Sequence, residues 1–548
     1  MKRENKKSVF VMLGILIITV CCPMIQQGII CNDELLLRLW SQQGLKTFFR
    51  TTIINENILK GRILATIGNV KFLSYLSDNK YVFRTIGVCF LLISIFLFGC
   101  IVYRLFEDIY FSTVLCILIL VFLPITFELS VPNAHMIVCL QPLILLEISI
   151  ALFINYVEKG KHINFILCSL MFLWAMFLYE FIITYVLIFP IIYILKYQKE
   201  IKNIKIKVIN TIKKTFPLFC VAIVYLMFYL LQAKIFPTNY LGNTLKIFSF
   251  RKIFSTLKVV FLSALPGYFT IFNQKYRFLF EYYNHGKIHI QNLYKSSFLV
   301  FVVALSYLLI TILNNKNEKK YKLGKSDILI IGTALIYGML PALPNALTPL
   351  YQEAVSNSGF ISIPVSIYLY FSNMLAITYF LWKICKAFNK KYVKIVFICL
   401  VLMGSGFIQI ENNVFAEEQS QNYERIVDIE NLLKLNYWNQ FGNIVIEAPS
   451  LYETKNTLAV EEDHWTQFAN IYHSGMVVEN KTEENPDLYI QMQKDNSFYV
   501  YNNTIKLLIC ENEQEGKICL EDEESNYIQM EIDSCIDREQ KYNIYLLK

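Results

Sequence analysis

Long apolar runs recur along the first 410 of this chain's 548 positions, each about 20 residues and so long enough to span about 30 Å of hydrocarbon as an α-helix. A water-soluble fold cannot hide that many. In lipid a backbone must satisfy its own amides, which favours helices over open strands for such runs. The composition agrees: 55% of residues are hydrophobic and only 17% charged, against about a quarter in ordinary soluble domains. Spans are expected at 8–30, 81–103, 111–127, 136–156, 163–178, 181–196, 215–235, 298–314, 327–343, 361–383 and 394–410, eleven in all. The first follows the basic start Met1 to Lys7. Its apolar part is too long for a cleaved signal and no small-residue cleavage site follows, so it reads as a retained helix.

Charge sets the expected orientation. Residues 1–410 hold 41 Lys/Arg and 16 Asp/Glu, or +25, whereas residues 411–548 hold 10 and 27, or −17. The basic segments 196–214, 314–325 and 383–394 belong in the cytoplasm by the positive-inside rule. All three can lie there only if the apolar stretch 253–272, which contains Lys258, Pro266 and Gly267, does not cross; it reads as re-entrant or interfacial. With the N-terminus inside, eleven crossings place the acidic tail outside. Its acidic charge suggests a solvated domain rather than a nucleic-acid binder.

The first external loop, 31–80, carries Leu35, Leu36, Leu39 and Trp40, then Leu45, Phe48 and Phe49 at helical spacing, which predicts short amphipathic helices on the outer leaflet. In the tail, alternating stretches at 443–448, 487–492, 497–501, 504–510, 527–532 and 542–547 read as strands, with a turn at 494–496 and an amphipathic helix over 424–435. Of 14 cysteines, Cys21, Cys22, Cys89, Cys100, Cys116, Cys139, Cys168, Cys220 and Cys399 sit in apolar runs as small hydrophobes. Cys510, Cys519 and Cys535 lack the spacing of a zinc site; they leave room for one bridge, Cys510 to Cys519.

The residues able to carry chemistry collect on the expected outer face. Asp33 and Glu34 follow the first helix directly, and acids there act as a base or hold a cation. The plain alternative is a solvated helix end. Arg62, after Lys60 and Gly61, can fork onto phosphate oxygens; its alternative is a juxtamembrane arginine on lipid headgroups. Glu128 follows the third span, and Glu180, preceded by Tyr179, interrupts an apolar stretch where a charge is costly. His135 is weaker. Glu147, near the middle of the fourth span, reads first as a protonated acid hydrogen-bonded within the bundle and second as a transport group. Gly404 and Gly406 form a lone GxG without meaning by itself, and no HExxH, P-loop or GxSxG motif is present.

An acidic pair after helix one, an amphipathic stretch and a Gly-Arg about 28 residues later resemble the GT-C class of membrane glycosyltransferases, most nearly bacterial O-antigen glucosyltransferase-type proteins and their uncharacterised relatives. Asn32-Asp33-Glu34, Gly61-Arg62-Ile63-Leu64, Phe127-Glu128 and Tyr179-Glu180 carry the likeness. Asp463-His464-Trp465 with Phe468-Ala469-Asn470-Ile471-Tyr472 extends it into the tail. One departure is the external 341–360 loop, which offers Gln352 and Glu353 where a phosphate-binding arginine would be sought. The resemblance implies a mainly α, polytopic transmembrane helix bundle over 1–410 and a small extracytoplasmic α/β or α+β domain over 411–548.

It also implies an inverting transfer from a polyprenyl-phosphate-linked sugar to a surface glycan or lipid-linked acceptor. Asp33 would be the base and Arg62 the phosphate anchor, helped by Arg38 or Lys60, with Glu34, Glu128 and Glu180 contacting donor or acceptor. No cofactor is required, and the acidic pair leaves room for a divalent cation. Two rival readings remain: a transporter or flippase of lipid-linked saccharides, and a membrane anchor presenting the tail as a sensor.

Overall fold

Local chemistry decides where one apolar segment stops and the next begins. Asp108 caps a helix, its Oδ1 accepting from the backbone N–H of Tyr110 and Phe111 at 3.0 Å each, while Glu107 takes the left-handed φ of 58° that lets the preceding helix reverse. Asn203 caps another through Lys205 and Ile206, and Gly160, at φ 66°, makes the tight turn between two more.

The computed structural model describes residues 3–28, 44–54, 80–125, 134–197, 203–237, 250–266, 296–314, 325–358, 365–388 and 390–433, with 38, 40, 41, 58, 60 and 62 between them. In the tail it describes 444–447, 466, 469–470, 476–479, 498–501, 506–510, 518–521, 527–530, 532–538 and 543–547.

The chain divides into two units, Met1–Gln26 with Lys46–Ala416, and Gln27–Leu45 with Glu417–Lys548. The first contains α1 (Arg3–Gln26), α2 (Leu45–Thr52), α3 (Lys80–Phe106), α4 (Ile109–Val121), α5 (Ala134–Lys159) and α6 (His162–Leu178). After α6 a 3₁₀ helix, Glu180–Leu187, runs straight into α7 (Ile188–Tyr197). The unit continues with α8 (Ile204–Ile235), α9 (Phe250–Ser263), α10 (Ser296–Leu313), α11 (Lys325–Met339), α12 (Ala342–Ala346), α13 (Pro349–Ser358), α14 (Ser366–Phe388) and the first part of α15 (Lys391–Leu433).

Among the described residues, six helices are long and apolar enough to cross a membrane: Lys7–Gln26, Tyr81–Phe106, Cys139–Lys159, Glu180–Tyr197, Lys205–Ile235 and Lys391–Val414. Shorter apolar helices lie at Ile109–Val121, His162–Leu178, Ser297–Leu313 and Asp327–Met339. The outward faces make the same point as the lengths. Met227 on α8 and Met403 on α15 are 65% and 74% exposed, among further uncovered Leu, Ile and Phe on the same helices, a surface that water does not tolerate and lipid does. These helices make the chain a membrane protein.

Inside, the bundle is packed by aromatic edges and by tyrosine hydroxyls that reach backbone carbonyls. Tyr368 donates to the Cys139 carbonyl at 2.8 Å and Tyr370 to that of Ile119 at 2.7 Å, tying α14 to α5 and α4. Gly338 lets α11 approach α14 closely, since a Cβ there would overlap Ser372. At the end of α4, Asn412 of α15 donates to the Leu123 carbonyl at 3.0 Å and accepts from Ile125 N–H at 2.7 Å, satisfying backbone groups around Pro124 that no helix pairs. Asn412→Ala is expected to leave both buried groups without these bonds and to cost about 1–3 kcal/mol, read as a lower thermal midpoint in mild detergent.

Several expectations meet the structure residue by residue. Residues 45–52 form a helix with Phe48 buried and Leu45 exposed. The 253–272 segment is represented by α9, an amphipathic helix of 14 residues and about 21 Å, which packs on α12, α13 and α14. The 341–360 stretch contains the short helices α12 and α13. The tail helix expected at 424–435 continues α15 without a break as far as Leu433.

In the second unit the tail contributes a six-stranded sheet in the order β2-β1-β3-β4-β8-β7 and a separate β5-β6 pair. The strands are β1 (Ile444–Glu447), β2 (Met476–Glu479), β3 (Phe498–Tyr501), β4 (Lys506–Cys510), β5 (Ile518–Glu521), β6 (Tyr527–Met530), β7 (Ile532–Arg538) and β8 (Asn543–Leu547). β1 and β2 are parallel, and every other pairing among the described strands is antiparallel. The strand expected at 487–492 and the turn at 494–496 lie outside the described residues, and so do the side chains of Cys510, Cys519 and Cys535.

Candidate functional site

The α6 helix ends at Leu178, Tyr179 turns to an extended conformation (φ −152°, ψ 120°), and the 3₁₀ helix starts with Glu180 as its first residue. An acid in the first turn of a helix is favoured by the partial positive charge at that end. Eight residues of 3₁₀ geometry are unusually long for a conformation that seldom exceeds three or four. The irregularity sits where the charge is.

Arg62 comes to this carboxylate from 118 positions earlier. Its Nε donates to Oε2 of Glu180 at 3.0 Å and its Nη2 to Oε1 at 3.2 Å, the parallel fork that a planar guanidinium makes with a carboxylate. The same guanidinium lies 4.0 Å from the centre of the Tyr179 ring, within stacking range. The Arg62 side chain is 9% exposed and that of Glu180 26%, so the pair is sheltered on one side and open on the other. Tyr225 and Tyr229, one turn apart on α8, lie within electrostatic reach of both charges. Lys60, half-buried, stands two positions ahead of Arg62.

No protein-family model matches this chain, and no curated protein matches it. The chemistry of the site therefore rests on its own residues. A forked, stacked guanidinium is a planar, permanently charged group whose geometry suits phosphate oxygens. A partly open carboxylate beside it can accept sugar hydroxyls.

Of the other residues expected at the site, Asp33, Glu34 and Glu128 lie outside the described residues, as do the side chain of His135 and residues 463–465 of the tail. Arg38 is described in the second unit, where its Nε and Nη2 donate to one oxygen of Glu430 at 2.9 and 2.5 Å and its Nη1 to the Tyr423 hydroxyl at 3.4 Å. Both charges of that pair are buried. Gln352 is buried in α13 and donates to the Ala346 carbonyl, while Glu353 is exposed. Among the described residues no three of His, Cys, Asp and Glu group as metal ligands.

Glu147 is fully buried in α5, and the Ser94 hydroxyl of α3 stands 3.0 Å from each of its oxygens. Among the described residues it makes no ion pair. Tyr185, Tyr337 and Tyr368 surround it at electrostatic range.

Tyr225 and Tyr229 are the members of the Arg62 site that sequence reading passed over. Their signal is two tyrosines spaced i, i+4 on a helix whose other buried positions are aliphatic or small.

The opposite end of the same helices carries a second set of charges. Glu158 meets Lys196 at 3.0 Å and Arg104 at 3.7 Å, and Arg104 also donates to Asn155. Asp327 pairs with Lys383 at 2.8 Å and accepts from the Tyr379 hydroxyl, while Trp382 donates to Asp108. Glu180 and Lys196 stand at the two ends of the 3₁₀–α7 pair, about 30 Å apart, the thickness of a hydrocarbon core.

Proposed function

We propose that the protein is a membrane glycosyltransferase that moves a sugar from a polyprenyl-phosphate donor to a cell-surface polysaccharide or lipid-linked acceptor on the outer face. The observation that carries the reading is the Arg62–Glu180–Tyr179 cluster: a cation, an acid and an aromatic ring converging, from segments far apart in sequence, at one end of an apolar helix bundle. A lipid-phosphate sugar presents matching parts. Its phosphate needs a fork of positive charge, its ring a flat apolar face, and its hydroxyls acceptors.

In the proposed reaction the Asp33 carboxylate takes the proton of the acceptor hydroxyl as that oxygen bonds to the anomeric carbon. The bond from that carbon to the phosphate oxygen breaks, and its electron pair leaves with the phosphate. Arg62 offsets the charge that grows there.

The orientation belongs to the same proposal. The six long apolar helices, the four shorter ones and α14 supply eleven crossings. Arg104, Lys196, Lys207, Lys214, Lys383 and Lys386 gather at the end opposite Arg62, which supports a cytoplasmic assignment for that end and an extracytoplasmic one for Arg62 and the acidic tail. The experiment is lipid and glycan analysis of a strain lacking the protein. One polyprenyl-phosphate sugar is expected to accumulate and one surface sugar to disappear; an unchanged lipid pool with an unchanged glycan would remove the proposal.

A flippase or transporter of lipid-linked saccharides is the second reading, favoured by one observation, the buried Glu147–Ser94 contact at mid-helix.

A further inference from the structure

A cavity of about 660 Å³ opens between α3, α4, α7, α11 and α14 at the end of the bundle away from Arg62, large enough to enclose a small ligand or one lipid chain with its head. Its inner wall is apolar, built from Phe98, Val102, Ile150, Ile188, Ile192 and Leu375. Its outer part holds Lys196, Lys207, Lys383, Asp108 and Asp327, with Tyr379 and Trp382 between the two zones, where amphipathic rings sit in membrane proteins.

The charges in that outer part are not equally committed. Asp327 is held by Lys383 and Tyr379. Asp108 is held by two backbone N–H groups and the Trp382 indole. Lys196 is held by Glu158 and the Arg104 carbonyl. Lys207, half-buried at the start of α8, has no carboxylate partner among the described residues. The lining thus carries three cations against two acids, both acids are engaged, and the uncommitted charge is positive. A water-filled pocket would not need the apolar wall, and a purely hydrocarbon guest would not need Lys207.

We infer that this cavity binds an anionic membrane phospholipid, with an acyl chain along the apolar wall and the phosphate head at Lys207. The inference stands apart from the sugar-transfer reading, because it uses the other end of the bundle and none of the residues assigned to transfer. On the orientation proposed above, this is the cytoplasmic leaflet, where anionic headgroups attract basic side chains.

The test is binding of phosphatidylglycerol, phosphatidylcholine and inorganic phosphate to the purified full-length protein in mild detergent, followed by native mass spectrometry. Phosphatidylglycerol is expected to bind about tenfold more tightly than phosphatidylcholine, and Lys207→Gln to erase that difference while leaving phosphatidylcholine binding unchanged. Thr333→Phe, which fills the cavity from a half-buried position on α11, is expected to weaken both lipids. Inorganic phosphate alone is expected to bind far more weakly than either. Equal affinity for the two lipids, or lipid binding indifferent to Thr333→Phe, would overturn the inference. So would phosphate binding as tightly as phosphatidylglycerol, which would make this a simple anion site. Should Lys207→Gln fail to fold, the comparison of headgroups on the unaltered protein and the Thr333→Phe variant still decide.

Discussion

Arg62→Ala is expected to abolish sugar transfer and to loosen the bundle around Glu180, and Arg62→Lys to keep the bundle but still lose most of the transfer. The two effects have separate causes. Alanine leaves the Glu180 carboxylate without the fork now made at 3.0 and 3.2 Å, and removes the group stacked 4.0 Å from the Tyr179 ring. The loss in stability should be about 1–2 kcal/mol, less than for a fully buried pair because Glu180 is 26% exposed and water can take over part of its solvation. Lysine restores the charge but has neither the plane that stacks nor the two parallel donors. Removing one preorganised donor from a growing anionic charge typically slows a reaction about 10²–10³-fold. That is the loss expected for Arg62→Lys, read as transfer from a polyprenyl-phosphate sugar in membranes at equal protein level. A transfer rate within a few-fold of the unaltered protein would end the assignment of Arg62 to the phosphate. A double-mutant cycle of Arg62→Ala with Glu180→Gln, read in thermal stability, isolates the energy of the pair from the loss of transfer, to which both residues are expected to contribute.

The helical part was legible because lipid imposes a single strong rule on sequence. A segment such as 81–103 has to be apolar throughout, and α3, Lys80–Phe106, covers it with one residue to spare at the start and three at the end. Helix ends were less legible: apolar runs blur the boundary, which in the structure is set by single caps such as Asp108 and Asn203. The change to 3₁₀ geometry at Glu180 leaves no mark in hydropathy, because the same Phe, Ile and Leu suit either helix.

In the tail, β1, β3, β4, β6 and β8 follow the alternation of their side chains. β7 escaped because register irregularities between Ile532 and Ser534, and between Cys535 and Asp537, break the period of two that identifies a strand. β2 and β5, four residues each, are too short for alternation to stand out. Arg62 and Glu180 were each visible as a candidate, but that they meet was not, because nothing local couples positions 118 apart. The Arg38–Glu430 pair, 392 positions apart, is the same limit at greater length.

Asp33→Asn and Glu147→Gln, compared in one strain and one assay, are expected to behave in opposite ways. An amide at position 33 cannot take the acceptor's proton, so transfer should fall about 10²–10⁴-fold, the usual share of a positioned base. The surface glycan should then be lost while the protein still reaches the membrane. Glu147 lies two turns, about 12 Å, deeper along α5 than Cys139, which neighbours Tyr179. It is therefore outside the reach of a donor phosphate held at Arg62. Its partner is a hydroxyl that a carboxamide can also hydrogen-bond, so Glu147→Gln should preserve the Ser94 contact and leave transfer within a few-fold. A transporter makes the contrary demand: alternating access needs a working group at mid-membrane, and there Glu147→Gln would stop the flow while Asp33→Asn changed little. Loss of the glycan in Glu147→Gln with an intact glycan in Asp33→Asn would therefore move the protein from the enzymes to the transporters.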